Sequence, residues 1–216
     1  MVKIRGKMFL RYVISWLLRN EIKDIVICAG HLAEAITEKL RPSRFAGISL
    51  KLSIESKPLG TAGAVRNALP LLADEFFLIN GDTYLPVSYD RILSRWQKVK
   101  KEFDCLLLAY DNHENIAPND TAVDNQGVVV GYSKESSEEM QFVNAGLIAV
   151  KKSVFDNLPD ELPLSLEEQV FPELIRLKKM AAVITHERYY DIGTPERLKA
   201  FEEYVDQHPE ILSATP

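Results

Sequence analysis

The sequence predicts an α/β fold in which a mostly parallel sheet carries helices on both faces. Three observations predict it. Short apolar runs recur at DIVIC (24–28), EFFLI (75–79) and FDCLLLA (103–109), and unalternated runs suit strands buried on both sides. Stretches with apolar residues at helical spacing separate them, as in FLRYVISWLLR (9–19). Turn residues close the first two runs, at Gly30 and at Asn80-Gly81-Asp82.

In chain order, a helix over 9–19 precedes the strand 24–28. A second helix follows over 32–40, with Ala33, Ile36 and Leu40 on one side. Residues 48–54 alternate like a strand, and 62–72 reads as a helix with Pro70 near its end. After the strand 75–79 come a helix over 88–100 and the strand 103–109. The polar stretch DNHENIAPND (111–120) reads as a loop, and Asp124–Gly127 as a hairpin turn between 121–123 and 128–132. Residues 142–150 form another strand. Ser165 and Glu168 fit a capping box before a helix to about Lys178. A strand over 182–185 and a helix from Pro195 to His208 end the pattern.

The chain has 216 residues, 46% of them hydrophobic, enough for one domain with a full core. A net charge of −5 without a strongly basic block argues against a nucleic-acid partner. Lys3, Arg5, Lys7 and Arg11 read as a solvated start. Cys28 and Cys105 both sit in apolar runs, so core packing is expected for both. No apolar stretch reaches membrane-spanning length, no signal peptide is evident, and the cytoplasm is the expected compartment.

Asp82 lies just past a strand predicted to be central, at the sheet edge where parallel sheets place ligands. It reads either as a carboxylate holding Mg2+ against phosphate oxygens or as turn chemistry. Asp191, in YYDIGTPE, reads either as a second metal-binding carboxylate or as a loop residue near a helix start. The four histidines, His31, His113, His186 and His208, are scattered, which makes zinc a poor expectation. His31 is expected to be structural. A Gly-x-Ser-x-Gly elbow, a dinucleotide fingerprint and a Walker loop are all missing from the sequence.

Taken together, IRGKMFLRYVI (4–14), DIVICAGHLAEAI (24–36), ESKPLGTAGAVRNAL (55–69), FFLINGDTY (76–84), FVNAGLIAV (142–150) and YYDIGTPERLKAF (189–201) resemble the sugar-1-phosphate nucleotidyltransferases. The resemblance covers most of the chain and extends to compact guanylyltransferase-like members. It implies a Rossmann-like sheet of the nucleotide-diphospho-sugar transferase type with its first strand missing. It also implies one domain over 1–216, with a sugar-phosphate-binding part around 111–194. The reaction implied is transfer of a nucleotidyl group from a nucleoside triphosphate, GTP favoured, to a heptose- or mannose-type sugar 1-phosphate, releasing pyrophosphate. By the same resemblance Glu55, Gly60, Thr61 and Gly63 border the nucleotide, and Asn144, Gly146 and Gly193 line the sugar-phosphate pocket. Asp82 and Asp191 bind Mg2+ and act in catalysis with Lys134, although Lys134-Glu135 inverts the family's usual order.

The resemblance also implies a departure. The family's glycine-rich phosphate loop and the strand before it have no counterpart in the 216 residues. Impaired turnover is therefore expected, because that loop's backbone N–H groups stabilise the transition state. A chain without that strand either brings 24–28 and 76–79 to about 5 Å, the spacing of sheet neighbours, or leaves an edge open to another chain. Homo-oligomerisation through such an edge is then expected. Two rivals remain open: a nucleotide- or sugar-phosphate-binding module without turnover, and a structural or regulatory partner of a full-length paralogue.

Overall fold

The computed structural model describes residues 2–30, 33–40, 48–135 and 138–213. His31 lies outside the described residues. The chain opens with a small hairpin, β1 (Lys3–Ile4) against β2 (Lys7–Met8), which feeds α1 (Phe9–Arg19). The next unit is β3 (Asp24–Ala29), α2 (Ala33–Lys39) and β4 (Ser49–Ile54), with β3 and β4 parallel. Helix α3 (Thr61–Ala68) follows the glycine turn. It stops earlier than the expected residue 72, because Pro70 cannot continue the α-helical hydrogen bonds and a 3-10 turn takes over at Leu69–Leu71.

A mixed four-stranded sheet occupies the centre. It contains β5 (Glu75–Ile79), β7 (Cys105–Tyr110), β10 (Val143–Lys151) and β11 (Met180–Thr185), in the order β11-β7-β10-β5. Strands β7 and β11 are parallel, and β10 runs antiparallel between β7 and β5. Short strand β6 (Thr83–Tyr84) pairs with β12 (Tyr190–Asp191), and β8 (Thr121–Val123) with β9 (Val129–Tyr132). The helices are α4 (Tyr89–Val99), α5 (Phe171–Arg176), α6 (Pro195–Gln207) and α7 (Glu210–Ser213). The segment Leu166–Val170, expected as plain α-helix, is a π-helical turn leading into α5. Ser165 does cap it, accepting from the Glu168 N–H at 3.3 Å.

Two apolar clusters sandwich β5. Phe77 and Ile79 pack on the cluster that contains Phe9, Tyr12 and Val13 of α1, while Phe76 and Leu78 pack on the one that contains Ala62 and Val65 of α3. Ile27 of β3 joins the first cluster. Helices therefore cover both faces, as the Rossmann-like class requires. Yet β3 and β5 share no ladder.

The hydrogen-bond register shows what each edge leaves open. Asn80 N–H donates to Gly146 C=O at 2.9 Å, so Leu78 and Phe76 also face β10. The backbone groups of Phe77 and Ile79 then point away from it. In the same way Ser49 donates to Lys23 and Glu55 to Ala29, which turns Val26 and Cys28 outward. Of the two routes weighed from sequence, the structure takes the open edge. It also corrects the expectation for Cys28, which is exposed on that edge, whereas Cys105 is buried. Among the described residues, no helix is long and apolar enough to cross a membrane.

Candidate active site

Two glycine positions dock the PLGTAG turn onto a distant segment. Gly60 has φ +76°, and a Cβ there would meet Leu164 C=O at 2.3 Å. That carbonyl accepts from Ala62 N–H at 2.9 Å and Gly63 N–H at 3.3 Å, and Leu164 N–H donates to Leu59 C=O at 2.8 Å. A Cβ on Gly63 would meet Leu162 and Leu59 carbons, each at 3.1 Å. The close approach these glycines permit is thus to protein. Thr61, exposed at the start of α3, accepts from Leu166 N–H at 2.8 Å. Glu55 accepts from Leu59 N–H at 3.2 Å, which braces the turn, and its side chain lies beside Gly30 at the end of β3.

The Asn80-Gly81-Asp82 turn meets the bulge in β10. Gly146 has φ +77°, and a Cβ there would lie 3.1 Å from Asn80 Nδ2 and 3.2 Å from Thr83 Oγ1. Asn144 Oδ1 accepts from Gly146 N–H at 2.9 Å, which holds the bulge, and Asn144 N–H donates to Asp120 Oδ1 at 2.8 Å. Burial pushes the Asp120 carboxyl above its usual range. Asn80, Asn144, Gly146 and Glu167 border one pocket.

Asp82 and Asp191 come together through the backbone. Asp191 lies opposite Thr83 in the β6–β12 ladder, and Ile192 N–H donates to Asp82 C=O at 3.1 Å. Asp82 is exposed, with one carboxylate oxygen accepting from Thr83 Oγ1 at 3.2 Å. Asp191 accepts from Gly193 N–H at 3.0 Å and from Arg197 Nη1 at 3.3 Å to each oxygen. Helix α6 fixes that arginine: Thr194 caps it, and Phe201 wedges among Phe9, Tyr12, Tyr84 and Tyr190. The Asp82 and Asp191 side chains both offer only oxygen donors, the kind a hard cation such as Mg2+ takes. Lys134 sits apart from this pair in chain position, exposed just past β9.

Sequence reading missed Arg197, Asn80 and Asp120 as members of this neighbourhood. Arg197 had a local signal, one turn into the helix that DIGTPE begins. The expectation that the histidines are scattered needs correction: the structure gathers His113 and His186 around Asp111, with donor atoms within 4.8 Å of one another. A group able to hold a metal ion therefore exists, apart from Asp82 and Asp191.

Residues 1–207 match the family described as nucleotidyl transferase. The chain belongs to the nucleotidyl transferase family. It is similar to D-glycero-alpha-D-manno-heptose 1-phosphate guanylyltransferase from Campylobacter jejuni, 28% identical over 91% of this chain and 85% of the relative. The enzyme of that name from Aneurinibacillus thermoaerophilus is 27% identical over 91% and 84%. Among solved structures, HddC from Yersinia pseudotuberculosis superposes with a TM-score of 0.81 at 24% identity, covering 94% of this chain and 88% of that one. This nucleotidyltransferase thus has the fold expected of its family, with helices on both faces of its sheet elements.

Proposed function

We propose that this nucleotidyltransferase moves a nucleotidyl group from a nucleoside triphosphate, GTP by preference, to a heptose- or mannose-type sugar 1-phosphate, releasing pyrophosphate. The observation that carries the reading is the closure of β6 on β12, which sets Asp82 and Asp191 on adjoining backbone. The similarity to two heptose 1-phosphate guanylyltransferases supports the base and the sugar.

In the proposed step, a phosphate oxygen of the sugar 1-phosphate attacks the α-phosphorus in line. A new P–O bond forms, the bond to the bridging oxygen breaks, and that oxygen leaves on pyrophosphate. Asp82 and Asp191 would hold Mg2+, which neutralises charge on the phosphate oxygens when bound. Asp191 must share its oxygens with Arg197 to do so, and Lys134 supplies a further cation toward the phosphates. Glu55, Gly60, Thr61 and Gly63 border the nucleotide, with Thr61 the exposed member of the set. Asn144, Gly146 and Gly193 orient the sugar phosphate. The reading takes residues 1–216 as one domain, with the sugar-phosphate part around 111–194. The two free cysteines agree with a reducing, cytoplasmic setting.

The open edges of β3 and β5 support one further part of this reading, pairing of a second copy along an edge. Light scattering across a concentration series tests this pairing, and a chain that stays monomeric throughout contradicts it.

A second reading, nucleotide binding without turnover, is favoured by the engagement of both Asp191 oxygens with Arg197. Pyrophosphate release with GTP, UTP, dTTP and CTP, each with mannose 1-phosphate or heptose 1-phosphate and Mg2+, tests the proposal. Release greatest with GTP supports it. Calorimetric binding of GTP with no release from any pair supports the second reading instead.

A further inference from the structure

We propose that Asp111, His113 and His186 form a binding site for a transition-metal divalent cation of the Zn2+ type, separate from the carboxylates of the candidate active site. The fold builds the group in two steps. Strands β7 and β11 are parallel and in register, with Tyr110 opposite Thr185, and Asp111 N–H donates to Thr185 C=O at 3.1 Å. Asp111 and His186 therefore leave the same sheet edge side by side. Asn112, with φ +53°, then turns the chain so that His113 comes back to Asp111.

All three ligand atoms converge. His113 Nδ1 lies 2.7 Å from one Asp111 oxygen, and His186 Nδ1 closely approaches the other. Side-chain exposure is 20% for Asp111, 52% for His113 and 79% for His186, so the carboxylate is held in the fold and the imidazoles face solvent.

An outer layer orients the group. Glu114 Oε1 lies 3.8 Å from His113 Nε2, the nitrogen not aimed at Asp111. The Glu114 carboxylate is itself held by Arg188 at 2.7 Å and by the Tyr110 hydroxyl at 3.5 Å, and the Tyr110 ring sits 5.5 Å from the His113 ring. A carboxylate behind a ligating histidine is the arrangement that fixes ring orientation and raises ligand basicity.

The donor chemistry selects the cation. Two imidazoles and one carboxylate suit Zn2+, Co2+ or Ni2+, whereas Mg2+ and Ca2+ prefer oxygen donors throughout. Three protein ligands on an exposed edge leave at least one position open to water or an anionic group. The alternative is two imidazole rings hydrogen-bonded to one carboxylate, which needs no metal.

Metal-free protein, dialysed from EDTA, distinguishes the two. Titration with Co2+ at pH 7.5 is expected to give a saturable visible absorption band at one equivalent, abolished by Zn2+ and unaffected by excess Mg2+. The His113→Ala/His186→Ala variant is expected to lose the band while keeping its circular dichroism and melting temperature, since both rings are exposed. Glu114→Gln is expected to weaken binding about 10-fold, in the range known for residues behind the ligands. Asp82→Asn is expected to bind Co2+ as the unmodified chain does. A missing saturable band, or one that survives in the double-histidine variant, overturns the proposal.

Discussion

Ile192 donates its backbone N–H to the carbonyl of Asp82 at 3.1 Å, so the strand end carrying Asp191 is fastened to the turn carrying Asp82. The two residues are far apart in sequence, yet this bond and the Asp191–Thr83 pairing make them neighbours in the backbone. Asp82→Asn and Asp191→Asn are each expected to lower kcat about 100-fold or more, the scale for losing one group that stabilises charge in a transition state. The double variant is expected to lose little beyond either single one, because groups serving one ion act as a unit. Steady-state pyrophosphate release measures both.

The turn at Gly60 separates backbone strain from steric conflict. Gly6 and Gly60 have φ values of +79° and +76°, but a Cβ on Gly6 meets nothing within 4 Å while one on Gly60 meets Leu164 C=O at 2.3 Å. Gly6→Ala is expected to cost about 1 kcal/mol, the strain of a left-handed residue. Gly60→Ala is expected to cost about 3 kcal/mol or more, because the chain near Leu164 must also move. Urea denaturation of the two variants gives the difference directly.

Gly146 joins the β10 bulge to the Asn80 turn. Gly146→Ala adds a methyl group 3.1 Å from Asn80 Nδ2 and 3.2 Å from Thr83 Oγ1, at a left-handed φ. Expected are a loss of about 1–3 kcal/mol in stability and a raised KM for the sugar phosphate. Denaturant midpoints and KM values together check this, and an unchanged KM contradicts the proposed pocket.

Acid stability reads a different contact. Burial pulls the Glu75 carboxyl upward, but the Lys100 ammonium at 3.1 Å and the Trp96 N–H at 2.8 Å more than reverse it, leaving the carboxyl below its usual range. A group with a lowered folded pKa stabilises fully above its unfolded value of about 4.5 and loses that contribution as pH falls through the folded value. Glu75→Gln is therefore expected to be less stable than the unmodified chain at pH 7, with the gap narrowing below about pH 4.5. The side chain is a third exposed, so the gap is expected to stay under about 1 kcal/mol. Urea midpoints between pH 7 and pH 3 test the trend.

Much of this structure was legible in the sequence, for identifiable reasons. DIVICA and CLLLAY read as strands because their apolar character runs on without alternation. Asp124 announced its hairpin because its carboxylate can accept from the turn's own N–H groups, as it does from Gln126 and Val128 at 2.9 Å. Ser165 announced its cap in the same local way. The two-residue strands β6 and β12 were not legible, since two residues carry no periodicity, and their pairing is what joins Asp82 to Asp191. Nor could the apolar pattern of β10 reveal its antiparallel direction, because burial on both faces is blind to direction. Arg197 against Asp191, and His113 beside His186, are tertiary facts that each local stretch leaves unstated.

The central claim, that the Asp82–Asp191 pair supports nucleotidyl transfer, is tested most directly by mass spectrometry of the product. Purified chain is incubated with GTP, Mg2+ and either mannose 1-phosphate or heptose 1-phosphate. The account predicts a guanosine diphosphate sugar that accumulates with time, dependent on both substrates and on Mg2+, and lost in Asp82→Asn. No product from chain that binds GTP, or product formed equally by Asp82→Asn, would contradict it.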